Sequence, residues 1–317
     1  KLVDLATGNL LPLELDIEGS ALQMAISPSG RRAAAISTAD LYFFQLTVWD
    51  LDSYRARVVS VRLPAGNNAP TIRPGPPGRR LAGRESWAGG LAFGSDDGAR
   101  WMAEQALRLT GRAPTHVVLT HYHGDHTGGL RGAREVGSPA ILATPVTRDD
   151  TRQNPNAPNE ILNRATPLDT IRPTEIDLGD RSLIVVPRRG HTDSDVTVEV
   201  TDPAVVFCGD LVWNEMFPNY MDATPSRLTQ AVRLMRATGA DTYVPGHGPL
   251  ADQAALDRYI DLLDDVEAAA RAAIEDGMTA EEAGAAYRLP AGLADWHLFR
   301  GDYFARAIGA WMEELGR

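Results

Sequence analysis

The sequence predicts an α/β protein, and three patterns carry that expectation. Short apolar runs (Val117-Val118-Leu119, Leu183-Ile184-Val185-Val186, Ala204-Val205-Val206-Phe207 and Thr242-Tyr243-Val244) each lead into a glycine-containing loop, as buried strands do. Strand-like and helix-like segments alternate through the middle of the chain in a β-α-β rhythm. Toward the C-terminus, Leu256, Ile260, Leu263, Val266, Ala270 and Ile274 recur at helical spacing, and Phe304, Ile308, Trp311 and Leu315 do so again.

In chain order, residues 20–63 read as β-rich. Ser27-Pro28-Ser29-Gly30 is a turn signal, Leu41 to Trp49 is aromatic and β-branched, and Val58-Val59-Ser60-Val61 is a further short strand. The phrases around Ser27 to Arg32 and Val48 to Leu51 faintly resemble one propeller blade. A single blade cannot close a propeller and no second copy occurs, so these strands are expected to begin the first sheet of the main domain. Residues 64–80, rich in Pro, Gly and Arg, read as a linker. Gly90-Leu91-Ala92-Phe93-Gly94 reads as a strand, and Ser95 to Gly98 supply a cap for a helix over Ala99–Leu109. Strands at 117–119 and 140–143 flank a histidine-rich loop. Residues 151–175 are a polar, Pro- and Asn-rich insertion expected to border a site, and a strand-rich half runs from Arg181 to Phe207.

The chain has 317 residues, enough to bury a full core. Its net charge is −11 and no basic stripe runs along it, which argues against nucleic acid as a partner. The single cysteine, Cys208, excludes an internal disulfide, which fits the cytoplasm and is compatible with the periplasm. No apolar stretch reaches the roughly 18 residues that a membrane span needs. The chain begins with Lys1, as expected of a processed or trimmed chain. A soluble protein acting on a small molecule, alone or as a homo-oligomer, is the expectation.

The most informative segment is His121-Tyr122-His123-Gly124-Asp125-His126-Thr127, three imidazoles and a carboxylate within six residues. Histidine and carboxylate together suit zinc or a similar divalent ion. Three later positions each put one more ligand type after an apolar run: His191 in Arg189-Gly190-His191-Thr192, Asp210 in Cys208-Gly209-Asp210, and His247 in Pro245-Gly246-His247-Gly248. An H-x-H-x-D-H motif at a strand end, followed by these three in order, resembles the metallo-β-lactamase superfamily. The resemblance implies a four-layer αβ/βα sandwich, two facing sheets with helices outside. It implies a single domain over 1–317, with 1–80 a β-rich N-terminal segment and linker and 89–317 the family core. His191 to Asp195, Cys208 to Leu211, Pro245 to Pro249 and Trp296-His297-Leu298-Phe299 are similar to zinc metallohydrolases of quinoprotein relay systems and sulfur oxidation, which favours an extracytoplasmic home.

By that resemblance, His121, His123 and His191 hold a first zinc ion, Asp125, His126 and His247 a second, and Asp210 bridges them; iron or manganese are alternatives to zinc. Asp125 and Asp210 are the candidate catalytic residues. A metal-bridging hydroxide is expected to cleave a small ester-like, thioester, lactone or β-lactam bond. A bridging Asp210 fits thioester, lactone and phosphodiester hydrolases, whereas true β-lactamases usually have Cys or Ser there. Two divalent ions would also make the cleft locally positive, so the acidic chain remains compatible with an anionic substrate. Cys208, two residues early, is expected to be a small buried apolar residue. His116 is expected to be structural and His297 to pack in the core. Asp96, Thr120 and Thr192 are candidates to orient the histidines. The aromatic loop after Asp210 has two readings: it lines the substrate side, with Tyr220 or Asn214 as an oxyanion donor, or it packs over the core. The competing enzyme class is a mononuclear iron sulfur dioxygenase using His121, His191 and Asp210. A third reading is a binding module in a respiratory or sulfur relay.

Overall fold

The computed structural model of the chain describes residues 94–179, 182–201, 204–294 and 296–316, together with the backbone of five strands before them. Its residues divide into two compact units, one of 1–168 and 176–182, the other of 169–175 and 183–317.

In the first unit, β1 (Ser20–Ile26), β2 (Arg32–Asp40), β3 (Phe43–Asp50) and β4 (Arg55–Arg62) form an antiparallel meander, joined on the β1 side by β5 (Ala88–Gly89). The expected turn at 27–30, the linker at 64–80 and the strand at 90–93 lie outside the described residues. Helix α1 (Asp96–Thr110) begins three residues before the expected Ala99, because Ser95 alone is the cap: its hydroxyl accepts a bond from Gly98 N at 3.2 Å. Gly111, at φ +74°, ends it with its N–H on the Leu107 carbonyl. There follow β6 (His116–Val118), the single-turn α2 (Gly124–Thr127), α3 (Leu130–Glu135), β7 (Ala140–Ala143), α4 (Pro145–Thr151), α5 (Asn159–Leu162) and β8 (Thr166–Pro167). The strands β6, β7 and β8 pair in parallel. Parallel neighbours need crossover connections, and the short helices provide them. Ala99, Leu119, Leu130, Ile141 and Leu162 form the core beneath those helices. The 151–175 insertion is therefore not wholly a polar border, because Ile161 and Leu162 anchor it in that core.

The chain crosses between the units after residues 168, 175 and 182, the second crossing falling within β9 (Thr174–Asp177). In the second unit, β10 (Ser182–Pro187), β11 (Val196–Thr201) and β12 (Ala204–Trp213) pair antiparallel in sequence. β13 (Thr242–His247) then pairs parallel to β12 after the crossover helix α6 (Pro225–Arg236). Pro225 suits the first turn of that helix, where its missing N–H costs nothing. Three further helices follow: α7 (Gln253–Glu275), α8 (Ala280–Ala286) and α9 (Tyr303–Leu315). The core joins Val206, Leu228, Val232, Leu256, Leu263 and Trp311 across sheet and helices. Both C-terminal helical patterns are realised, except that Ile274, in the last turn of α7, is exposed. Among the described residues no helix is long and apolar enough to cross a membrane.

Candidate metal centre

In the first unit, pairing with β7 outlasts β6: Leu119 N donates to the Leu142 carbonyl at 2.9 Å and delivers the chain to Thr120 and His121. The His121 ring is fully buried. The Thr120 hydroxyl pairs with its Nδ1 at 3.1 Å, leaving Nε2 on the side of His123, whose Nδ1 lies 3.1 Å away. Of the expected orienting groups, Thr120 thus acts on a ring nitrogen directly. The turn of α2 folds the chain back, so the buried His126 ring lies 4.3 Å from that of His121, centroid to centroid. His126 Nε2 is 3.3 Å from the Asp125 carboxylate, which is half-exposed. The Thr127 hydroxyl donates to the His123 carbonyl at 3.0 Å and closes the loop. Asp96 is engaged elsewhere, accepting a bond from Gly132 N at 3.0 Å and so tying α1 to α3. His116 is exposed at the start of β6, with Thr115 on its Nδ1.

In the second unit three loops and strands converge. The turn before His191 is tied at several points: Arg188 N donates to the Asp195 carbonyl at 2.8 Å, Gly190 N to the Thr192 carbonyl at 2.9 Å, and Thr224 N to the Gly190 carbonyl at 2.9 Å. Within it, Thr192 donates from N and Oγ1 to the two oxygens of Asp195, at 2.7 and 2.9 Å. Burial pushes the Asp195 carboxyl up to about 7, against the pull of those two bonds. Thr192 therefore braces the loop that presents His191 rather than the ring itself. Asp210, 2% exposed, lies in β12 with Oδ2 3.5 Å from His191 Nε2 and 3.3 Å from His247 Nε2. Gly246 faces it across the parallel pair, and a Cβ there would overlap Asp210 Oδ1 and meet Gly209 C at 2.8 Å. The indole of Trp213 packs on the His247 ring at 4.1 Å between centroids and lies 6.5 Å from that of His191.

Several expectations are corrected here. The loop after Asp210 is packed core: Leu211, Val212, Phe217 and Tyr220 are buried. Asn214 donates its side-chain amide to the carbonyls of Pro249 and Leu250, and burial raises the Tyr220 hydroxyl above its usual range, so neither is placed as an oxyanion donor. His297 is exposed; its backbone bonds to Glu215 and Phe217, and its ring meets that of the exposed Phe299 edge-on. Cys208 is buried in the core as expected, and burial raises its thiol. Asp195 and Trp213 were not singled out for these roles from the sequence. Asp195 sits in a polar run, His191 to Asp195, whose hydroxyls and carboxylates signal a self-bonded turn. Trp213 gave no such signal, because the pairing of β12 with β13 shifts register between Gly209 and Trp213 and breaks the alternation by which a strand face is read.

The donor types in each unit, and their spacing within it, suit ligands of divalent metal. Ligand atoms bound to a four-coordinate zinc at ~2.0–2.1 Å are separated from one another by about 3.3 Å. The separations within the units are 3.1, 3.3, 3.3 and 3.5 Å. Charged hydrogen bonds are usually shorter, about 2.7–2.9 Å.

The family model for the metallo-β-lactamase superfamily matches residues 82–247, just over half of the chain and all seven candidate ligands. The chain belongs to the metallo-β-lactamase superfamily. Among curated relatives, a hydroxyacylglutathione hydrolase from Cereibacter sphaeroides is 26% identical over 149 residues, 46% of this chain and 51% of that protein. An acyl-coenzyme A thioesterase from Homo sapiens is 28% identical over 127 residues, 35% of this chain and 46% of that one. The chain spans about half the length of the curated relatives it matches. Among solved structures, the metallo-β-lactamase FIM-1 from Pseudomonas aeruginosa in its mono-zinc form matches with a TM-score of 0.50 and 18% identity, covering 73% of this chain and 95% of that one. That likeness is one of fold, and the α/β metallo-β-lactamase fold read from the motifs is the fold of this superfamily member.

Proposed function

We propose that this superfamily member is a metal-dependent hydrolase of a small ester-like, thioester or lactone substrate. It holds two divalent ions, zinc in the first instance, with His121, His123, Asp125, His126, His191, Asp210 and His247. The observation that carries the reading is the convergence of imidazole and carboxylate donor atoms to 3.1–3.5 Å within each unit, close to the edge of a tetrahedral zinc site, about 3.3 Å. The curated hydrolases similar to this chain, one named for an acyl-glutathione and one for an acyl-coenzyme A, support a thioester as the first substrate to try.

When bound, divalent metal supplies Lewis-acid polarisation of a carbonyl and lowers the pKa of water toward neutrality. The protein's own part is to hold the donors and keep the site dry. Thr120 fixes the tautomer and rotation of His121 through Nδ1. Asp195 and Thr192 fix the loop that carries His191. Asp210 keeps its carboxylate buried beside two imidazoles, and Trp213 packs against the His247 ring. Asp125, half-exposed beside His126, is the ligand that solvent reaches most readily. With a net charge of −11 the partner is a small molecule rather than a nucleic acid.

The test is metal analysis of the purified protein together with a panel of lactone, thioester, cephalosporin and phosphodiester at fixed zinc. Two zinc ions per chain are expected, with turnover that chelation removes and zinc restores. One iron per chain with oxygen uptake on a persulfide would replace this reading with the sulfur dioxygenase.

A further inference from the structure

Arg189 occupies a backbone conformation that an L-residue avoids. Its φ is +136°, whereas the two other described non-glycine residues with positive φ, Ser138 and Glu215, lie at 50° and 57°, in the ordinary left-handed region. A side chain at such a φ costs about 1–3 kcal/mol, and the strain persists only where the surroundings over-determine it. Here they do. Arg188 N is bonded to Asp195, and Gly190 N to Thr192. Gly190 is wedged so tightly that a Cβ on it would meet the Leu228 backbone. The turn could hold glycine at 189 without strain, yet the sequence has arginine. Packing does not account for that choice, because the side chain is exposed. Nor does an ion pair: among the described residues the Arg189 guanidinium makes none, and no hydrogen bond, while its neighbour Arg188 is committed to Glu199 at 2.7 Å. The chain's single lysine is Lys1, so cationic recognition rests on arginine. Arg189 stands two residues before His191, on the braced turn that presents that ligand.

We propose that Arg189 is a specificity-determining residue, whose guanidinium receives a carboxylate or phosphate borne by the substrate beside the bond to be cleaved. The proposal rests on the hydrolase reading and narrows it to anionic substrates. Guanidinium matches either group with two parallel donors, and such a charged hydrogen bond contributes about 1.5–3 kcal/mol, tenfold or more in affinity.

The experiment compares two zinc-dependent substrates that differ only in charge: S-acetyl-3-mercaptopropionate and S-acetyl-3-mercaptopropionamide. The zinc-loaded wild type should favour the carboxylate. Arg189→Ala should raise KM for the carboxylate about tenfold, leaving kcat and the neutral amide unchanged, with zinc content intact. Arg189→Gly should show the same loss of selectivity while melting above Arg189→Ala, since glycine relieves the strain and alanine keeps it. Equal turnover of both substrates by wild type, or an equal effect of Arg189→Ala on both, overturns the role of Arg189 alone. A glycine variant melting below the alanine variant overturns the argument from strain. Wild type that turns over neither thioester, nor any substrate of the lactone, cephalosporin and phosphodiester panel, overturns the hydrolase reading and this one with it.

Discussion

The two units carry their candidate ligands in opposite ways. The first places His121, His123, Asp125 and His126 on one loop and one turn of helix, so the chain's local path alone brings them together. The second gathers His191, Asp210 and His247 from three segments 56 residues apart at their extremes, and only the sheet makes them neighbours. A local cluster can survive small errors in the surrounding fold, whereas a cluster assembled by strand register depends on every backbone approach that sets the register.

The largest effect should come from the buried end of that contrast. Asp210→Ala removes the carboxylate that both His191 and His247 face, and turnover should fall at least about a thousandfold, with loss of bound zinc. Asp125→Ala, at a half-exposed ligand, should cost closer to a hundredfold, because water can occupy the vacated position. Equal losses measured by steady-state rates and metal content would erase the distinction between a locally built half and one built by the sheet.

A stability comparison reaches the same point without metal. Gly246→Ala puts a methyl group into Asp210 and the Gly209 backbone, neither of which can retreat without opening the β12–β13 pair. It should destabilise the protein by about 2–4 kcal/mol in urea denaturation. Gly124→Ala, inside the metal-loop motif, meets nothing within 4 Å and should change stability by less than about 1 kcal/mol. A tolerant Gly246 would mean that register does not govern the placement of Asp210.

This contrast also explains what was legible in the sequence. The loop from His121 to His126 announced itself because its ligands are local, and the later three were recognised by their order after apolar runs rather than by any visible proximity. The cap at Ser95, the strands at 140–143 and 242–244 (the latter running on to His247) and the two C-terminal helical stripes were readable from period and turn chemistry. The roles of Asn214, Tyr220 and Trp213 were not. Whether a polar or aromatic side chain near a site faces it or the core depends on a bulge in β12 and on the carbonyls of residues 249 and 250, which are distant in sequence. The exposure of His297 was hidden for a related reason: its aromatic neighbours suggested a core position, yet of that segment it is Trp296 that is buried.

Two threonines refine the comparison at a smaller scale. Thr120→Val keeps the side-chain shape but removes the hydroxyl from His121 Nδ1, and zinc affinity measured by competition with a chelator should weaken about tenfold. Thr192→Val removes one of two bonds to Asp195, one step further from a ring. It should lower the stability of the metal-free protein by about 1 kcal/mol and zinc affinity by less than Thr120→Val does. The reverse ranking would place the control of metal binding in the braced turn rather than at the imidazole.

The smallest effects test whether each unit's ligands are insulated from its helix ends. Ser95→Ala deletes the single cap bond of α1 at 3.2 Å. Thr279→Ala deletes the hydroxyl of a capping box at α8, which accepts from Glu282 N and donates to Glu282 Oε2, while the bond from Thr279 N to that carboxylate can remain. Each should cost about 1 kcal/mol in denaturant titration, with Thr279→Ala a few tenths the larger because two bonds are lost instead of one. Neither should move zinc affinity. A shift in zinc affinity with Ser95→Ala would carry the most weight, because it would mean that the loop from His121 to His126 depends on α1 and is not held by its own chain path.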